Sequence, residues 1–331
     1  MSESHKILRV EALDVHFPMP GPGNPGRVLR AVDGVSFEVT AGSTFGIVGE
    51  SGSGKSTTAM SIMRLGPLTR GKLHFRGQDI SKLEGAALRD LRRHLQLIFQ
   101  DPYSSLDPRR SAGAIIREPL DRLRIGTKAE REDRVRELLQ MVGLRPDQAA
   151  LFPHQFSGGQ RQRINIARAL ASEPALVVCD EPVSALDVAI QAQVINLLRR
   201  LQQQLGLTYL FISHDLGVVQ HMCDEIAVLF LGRIVEQASR RDLFTNAQHP
   251  YTRALLAAVP SLDNIGKKGR SVQPLQDPPS PLDPPPGCPF HPRCGFAQDR
   301  CRTEAPQLTS YADRHRVACH FAGALFAANI G

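Results

Sequence analysis

Two short stretches carry side chains spaced for phosphate chemistry, and a third carries side chains that could ligate a metal. The first, GESGSGKST (Gly49, Glu50, Ser51, Gly52, Ser53, Gly54, Lys55, Ser56 and Thr57), fits G-x-x-x-x-G-K-[ST] without a mismatch. Glycines in such a loop let consecutive backbone N–H groups turn inward around phosphate oxygens. The lysine then reaches the β- and γ-phosphates, and the hydroxyl of Ser56 ligates Mg²⁺. The second stretch, ALVVCDEP, is an apolar run ending on Asp180 and Glu181. An acidic pair leaving a buried strand suits metal binding by Asp180 and activation or positioning of water by Glu181. Alone, such a pair could equally cap the next helix; beside the lysine loop it points to nucleotide hydrolysis. In the third stretch Cys288, Cys294, Cys301 and Cys319 follow the spacing C-x₅-C-x₆-C-x₁₇-C.

These residues need elements to position them. TFGIV before the glycine loop reads as a strand and STTAMSIMRL after it as a helix, the context the motif requires. Residues 7–48 show alternating or β-branched stretches (ILRVEALDVHF, VSFEV, TFGIV) around the loop PMPGPGNPGR. From Thr44 to about Gln100 strands and helices alternate, which predicts an α/β layer with a parallel sheet. Residues 104–171 read as helix-rich, and EREDRVRELLQMVG puts Val135, Leu138, Leu139 and Val142 on one face. ALVVCD and LTYLFIS read as buried strands, VAIQAQVINLLRRLQQQ as a helix, and EIAVLFLGRIVEQ as a strand pair turning at Leu231-Gly232. Beyond about Pro260, KKGR and PLQDPPSPLDPPPG read as an extended linker.

Composition narrows the class. With 331 residues, 42% apolar and 22% charged, the chain can bury a sizeable core. No apolar run approaches the ~18 residues needed to span a bilayer, and the N-terminus has no signal-peptide core. The expected place is therefore the cytoplasm, with any membrane role arriving through partners. A net charge of +7 fits a solvated basic surface or an anionic ligand and does not choose between them. Six cysteines in such a compartment are not read as disulfides. Cys179 and Cys223 sit among apolar residues and read as small core side chains.

FSGGQRQRINIARAL, from Phe156, resembles the signature segment of the ATPase subunits of ABC transporters. The order of elements resembles that family too: lysine loop, a glutamine after a strand (Gln100 in LIFQDP), SGGQ, the acidic strand, SALD (Ser184 to Asp187) and a histidine after a strand (His214 in LFISHD). The resemblance implies a P-loop NTPase cassette of α/β class, with an antiparallel β subdomain and a helical subdomain. It implies that Gln100 senses Mg²⁺ and couples to the membrane partner, that His214 contacts the γ-phosphate, and that Phe17 stacks on adenine where the family more often has Tyr. It also implies that Ser157, Gly158, Gly159, Gln160 and Asp187 close over the ATP of a second ATPase subunit, two subunits packing head to tail. A soluble relative acting on nucleic acid or ribosomes is the competing class, but the paired cassettes, coiled-coil insertions and aromatic-basic interleaving expected of it are absent. An exporter half would carry its own membrane spans.

HPYTRALLAAVP, from His249, with the proline-rich linker and PSPLDPPPGCPFHPRC, resembles the C-terminal region of ATPases serving dipeptide, oligopeptide and nickel importers. The expected division is a nucleotide-binding domain over 1–258 and a linker with a Cys-rich region over 259–331. The implied partners are a second, similar but non-identical ATPase, two permeases and, indirectly, an extracytoplasmic solute-binding protein, with no nucleic acid. The implied location is the cytoplasmic face of a bacterial membrane. For the four tail cysteines two centres compete. Zn²⁺ suits four thiolates but usually comes with short C-x₂₋₄-C pairs, and His291, His315 and His320 could stand in as ligands. A [4Fe–4S] cluster takes four thiolates at wider spacing, and it is the centre the resemblance implies.

Overall fold

The computed structural model describes residues 6–19, 27–258 and 277–325. Most of the loop PMPGPGNPGR, and the part of the expected linker up to residue 276, lie outside the described residues. In chain order the described elements are β1 (Lys6–Pro18), β2 (Val28–Thr40), β3 (Thr44–Val48), α1 (Lys55–Ile62), β4 (Arg70–Phe75), β5 (Gln78–Asp79), α2 (Gly85–His94), β6 (Leu95–Ile98), α3 (Ala112–Leu123), α4 (Lys128–Met141), α5 (Gly158–Leu170) and β7 (Leu176–Asp180). They continue with α6 (Val188–Leu205), β8 (Thr208–Ser213), α7 (Leu216–Met222), β9 (Glu225–Phe230), β10 (Arg233–Ser239), α8 (Arg240–Asn246), α9 (Pro250–Ala257), α10 (Asp299–Thr303), β11 (Thr309–Ala312) and β12 (His315–Val317). The chain divides into two compact units, one built chiefly from His74–Ser213, the other from Arg9–Glu38, Phe45–Leu73 and the residues from His214 onward.

In the first unit β6, β7 and β8 run parallel, with Ile98 opposite Cys179 and Asp180 opposite Ile212. Every residue of β7 and β8 is buried, so both read as continuous apolar runs without alternation. Helices α3, α4 and α5 pack together, each started by a hydroxyl that accepts a backbone N–H: Ser111, Thr127 and Ser157. Val135, Leu138, Leu139 and Val142 are all buried, as the periodicity predicted. One expectation changes. The 70–79 stretch does not join the parallel layer; β4 and β5 form a hairpin, with Phe75 opposite Gln78. Arg76 and Gly77 take φ of 50° and 80°, the two-residue turn that sends a strand straight back antiparallel.

In the second unit β3 runs parallel to β9, and β9 turns back into β10 through Leu231 and Gly232 at φ 45° and 78°. β12 then pairs antiparallel with β10, Val317 opposite Glu236, and β11 pairs with β12. The Cys-rich tail thus adds strands to this unit. Its Phe290 is 2% exposed and meets Phe230 edge-on at 5.4 Å and Tyr251 at 5.3 Å. Underneath, Glu236 is fully buried and accepts from the Gln248 and His249 N–H groups and pairs with the His315 ring at 2.8 Å. Cys179 and Cys223 are core residues.

Candidate active site

The candidate phosphate loop is the turn from β3 into α1, in the second unit. At Gly49 (φ 155°) a Cβ would stand 2.3 Å from the Leu229 carbonyl oxygen, and at Gly54 (φ 102°) 2.2 Å from that of Ala31. Both obstacles are backbone, so only glycine fits. Gly54 is also the N-cap of α1 and brings no capping side chain, which leaves the positive end of the helix to an anion. Lys55 is 5% exposed, and its Nζ donates to the Gly49 and Glu50 carbonyls at 2.8 Å each. Ser53 Oγ is buried without a hydrogen-bond partner, a hydroxyl that a phosphate oxygen would satisfy. Ser51, Gly52 and Ser56 are exposed and Thr57 half-buried. Phe17, near the end of β1, is half-buried, and His214 is exposed just after β8.

A second group of candidate residues belongs to the first unit. Asp180 ends β7 and is 5% exposed. Glu181 follows at φ 48°, a left-handed conformation that costs a non-glycine residue ~1–3 kcal/mol and collects at working sites. Its N–H donates to the Ile212 carbonyl at 3.0 Å, and Gln100 Nε2 donates to its carboxylate at 2.9 Å. Two of the expected residues therefore meet. Ser157 caps α5, and Ser157 and Gln160 close a reciprocal capping box. Gly159 is buried; a Cβ there would stand 2.5 Å from Ile190 of α6. Asp187 caps α6 by accepting from the Ile190 N–H at 2.9 Å.

Several residues were missed in the sequence. Gln162 donates to the Pro182 carbonyl, next to Glu181, at 2.6 Å. Asn165 and Arg168 donate to the hydroxyl and carbonyl of Ser105, in the loop after Gln100. Their signal was hidden because they read as ordinary polar positions on a helix. In the stretch after Gln100, Leu106, Ile115 and Ile116 are buried core; Phe99 and Tyr103 are the exposed large side chains nearby. Arg293 and Tyr251 were missed as well: Arg293 grips the Glu50 carboxylate with both terminal nitrogens at 2.8 Å, and Tyr251 Oη accepts the Glu50 N–H at 2.9 Å.

The four tail cysteines line one pocket with His249, Phe290 and His291. The Cys288 N–H donates to the Cys301 carbonyl at 2.8 Å. Burial, with the other thiols nearby, pushes Cys288 up to about 11, and burial raises Cys294 and Cys319. Four thiols lining one pocket are the kind of donors that a positive metal centre takes as thiolates. Among the described residues no three of these Sγ atoms lie within 4.8 Å of one another; the one group that close is Asp14, His16 and Asp33. There Asp14 accepts from the Gly34 N–H and Asp33 from Arg233.

Residues 32–184 match the ABC transporter family, and residues 235–301 match the oligopeptide/dipeptide transporter C-terminal region. A putative peptide import ATP-binding protein of Brucella ovis is 54% identical over 95% of this chain and 97% of its own length. The oligopeptide transport ATP-binding protein AppF of Bacillus subtilis is 50% identical over 95% and 97%, and the dipeptide transport ATP-binding protein DppF of Haemophilus influenzae 43% over 96% and 98%. Among solved structures, the dimeric post-hydrolysis state of the ATP-binding cassette MJ0796 with ADP and Pi aligns at TM-score 0.63, 29% identity, over 71% of this chain and 99% of its own. With a glycine-lysine phosphate loop, an acidic strand end facing a glutamine and relatives of this identity over nearly all of both lengths, the chain belongs to the ATP-binding proteins of ABC transporters.

Proposed function

We propose that this ABC ATPase hydrolyses ATP to energise import of dipeptides, oligopeptides or related small solutes. The observation that carries the solute class is the C-terminal match over residues 235–301, in a chain 43–54% identical to peptide-import relatives. In this reading the loop Gly49–Thr57 cradles the phosphates, Phe17 stacks on adenine and His214 contacts the γ-phosphate. Glu181 orients and deprotonates the attacking water, held in place by the Gln100 amide. Ser56, Gln100 and Asp180 would each offer an oxygen donor, the kind Mg²⁺ takes, and Mg²⁺ when bound would neutralise charge on the phosphates. Ser157 to Gln160 and Asp187 face the ATP of a partner ATPase, similar but not identical.

The division at about residue 258 separates a nucleotide-binding domain from the Cys-rich region. Among the described residues no helix is long and apolar enough to cross a membrane, so attachment to the cytoplasmic face goes through two permeases, with a solute-binding protein acting from outside. Nucleic acid is not a partner. The four cysteines would hold a [4Fe–4S] cluster. Zn²⁺ usually comes with short C-x₂₋₄-C pairs, which this tail lacks, whereas a cluster takes four thiolates at wider spacing. Affinity purification from detergent-solubilised membranes tests the assignment. Two multispanning proteins and peptide-stimulated ATP hydrolysis are expected; nucleic acid in their place would sink it.

A further inference from the structure

The pocket of four cysteines and the phosphate loop are joined by a short path of side chains. Arg293 precedes Cys294, and its own N–H is tied to the Phe290 carbonyl at 3.0 Å. Its side chain is 3% exposed, with the guanidinium 5.7 Å from the Phe230 ring and 5.8 Å from the Phe290 ring. Both terminal nitrogens go to Glu50, 243 residues away and one residue after Gly49. The same Glu50 gives its N–H to Tyr251. Tyr251 is fully buried and donates its own N–H to His249 Nδ1 at 3.1 Å. Burial pushes His249 down to about 4, which keeps the ring neutral and Nδ1 an acceptor. The HPY triplet is thus a strut: His249 fixes the start of α9, and α9 fixes the Tyr251 hydroxyl.

Stability does not account for this arrangement. A buried ion pair roughly breaks even against an apolar replacement because both charges lose water. Here the guanidinium also leaves Nε buried without an acceptor. What the pair does supply is a fixed position. It is bidentate, it is gripped between rings, and it ends on the loop whose carbonyls hold Lys55.

We infer that Arg293, with Tyr251, is a positioning residue of the nucleotide site: the C-terminal region clamps Glu50 and thereby sets the shape of the phosphate loop. This rests on the reading of that loop as the ATP cradle. The test titrates a fluorescent ATP analogue with Mg²⁺ into the full-length purified chain and measures kcat and KM with its partners. Arg293→Ala is expected to weaken binding and raise KM between about 10-fold and 10²-fold, the scale on which misplacing a bound group acts, with kcat changed less than twofold. Arg293→Lys keeps the charge without the fork, so it should fall in between at an unchanged unfolding temperature. Glu50→Gln should weaken binding like Arg293→Ala, and the double variant should be no worse than either alone. If Arg293→Ala does not fold, the Lys and Gln variants carry the test. Unchanged affinity in them, or additive losses in the double variant, overturns the clamp. Lys55→Ala is the control: if it leaves affinity intact, the reading of the loop fails instead.

Discussion

Glu181 occupies backbone space that most side chains avoid, and its carboxylate is met by the Gln100 amide. Asp180 is the last residue of β7 and is buried, and Glu181 follows the strand end. In the proposed reading the two carboxylates divide the work, Asp180 for metal and Glu181 for water. Replacing Glu181 by Gln keeps shape and the Gln100 contact but removes the base. Losing a general base costs about 10²–10⁴ in rate. The expected outcome is retained ATP binding, turnover reduced by that factor, and a stable ATP-bound dimer, read by phosphate release and by size-exclusion chromatography with Mg-ATP. Turnover at the wild-type rate would remove Glu181 from the mechanism. The nearby glycines give a second outcome. Gly54→Ala drives a Cβ to 2.2 Å from the Ala31 carbonyl, so the loop must move and binding of ATP should be lost. Lys55→Ala should weaken binding without moving the backbone.

Elements explain why much of this was legible beforehand. The lysine loop, the buried strands β7 and β8, and the helix face through Leu138 and Leu139 follow from local patterns, apolar runs and a 3.6-residue period. The β4–β5 hairpin was not legible because its turn residues, Arg76 and Gly77, lack the Asn-Gly or Asp-Gly signal. Neither were Gln162, Asn165 and Arg168, whose partners in Pro182 and Ser105 are fixed by tertiary packing and leave no mark in the sequence. These contacts tie α5 to both the loop after Gln100 and the turn after Glu181. Leu139 lies fully buried in α4, so Leu139→Ala should destabilise by about 2–5 kcal/mol through the cavity it leaves, read by urea unfolding. The loop after Gln100 gives the surface test. Ser104 is exposed, whereas Ser105 accepts from Asn165. A cysteine at Ser104 is therefore the better probe and should cross-link to a permease in the assembled complex; no link there counts against this loop as the coupling surface.

At the scale of the whole molecule, the tail is where local pattern says least and long-range contact most. Its cysteine spacing was legible; its place was not. Phe290 under Phe230, β12 beside β10, and Arg293 on Glu50 join positions that no spacing connects. The convergence of Cys288, Cys294, Cys301 and Cys319 on one pocket then bears on what the tail holds. Burial pushes these thiols upward and favours their protonated form at neutral pH, and binding a metal centre must expel those protons, so loading should be favoured by rising pH. Few apolar side chains lie between the cysteines to hold the loops without it. Protein purified without oxygen should accordingly be brown, absorb broadly near 400 nm and carry roughly four irons per chain. Serine at Cys288, a buried donor, should bleach the colour and lower the unfolding temperature, while serine at Cys179, in the core of the other unit, should leave the spectrum unchanged. Colourless protein with one tightly bound zinc, prepared the same way, would overturn the cluster in favour of a Zn²⁺ centre on the same four thiolates.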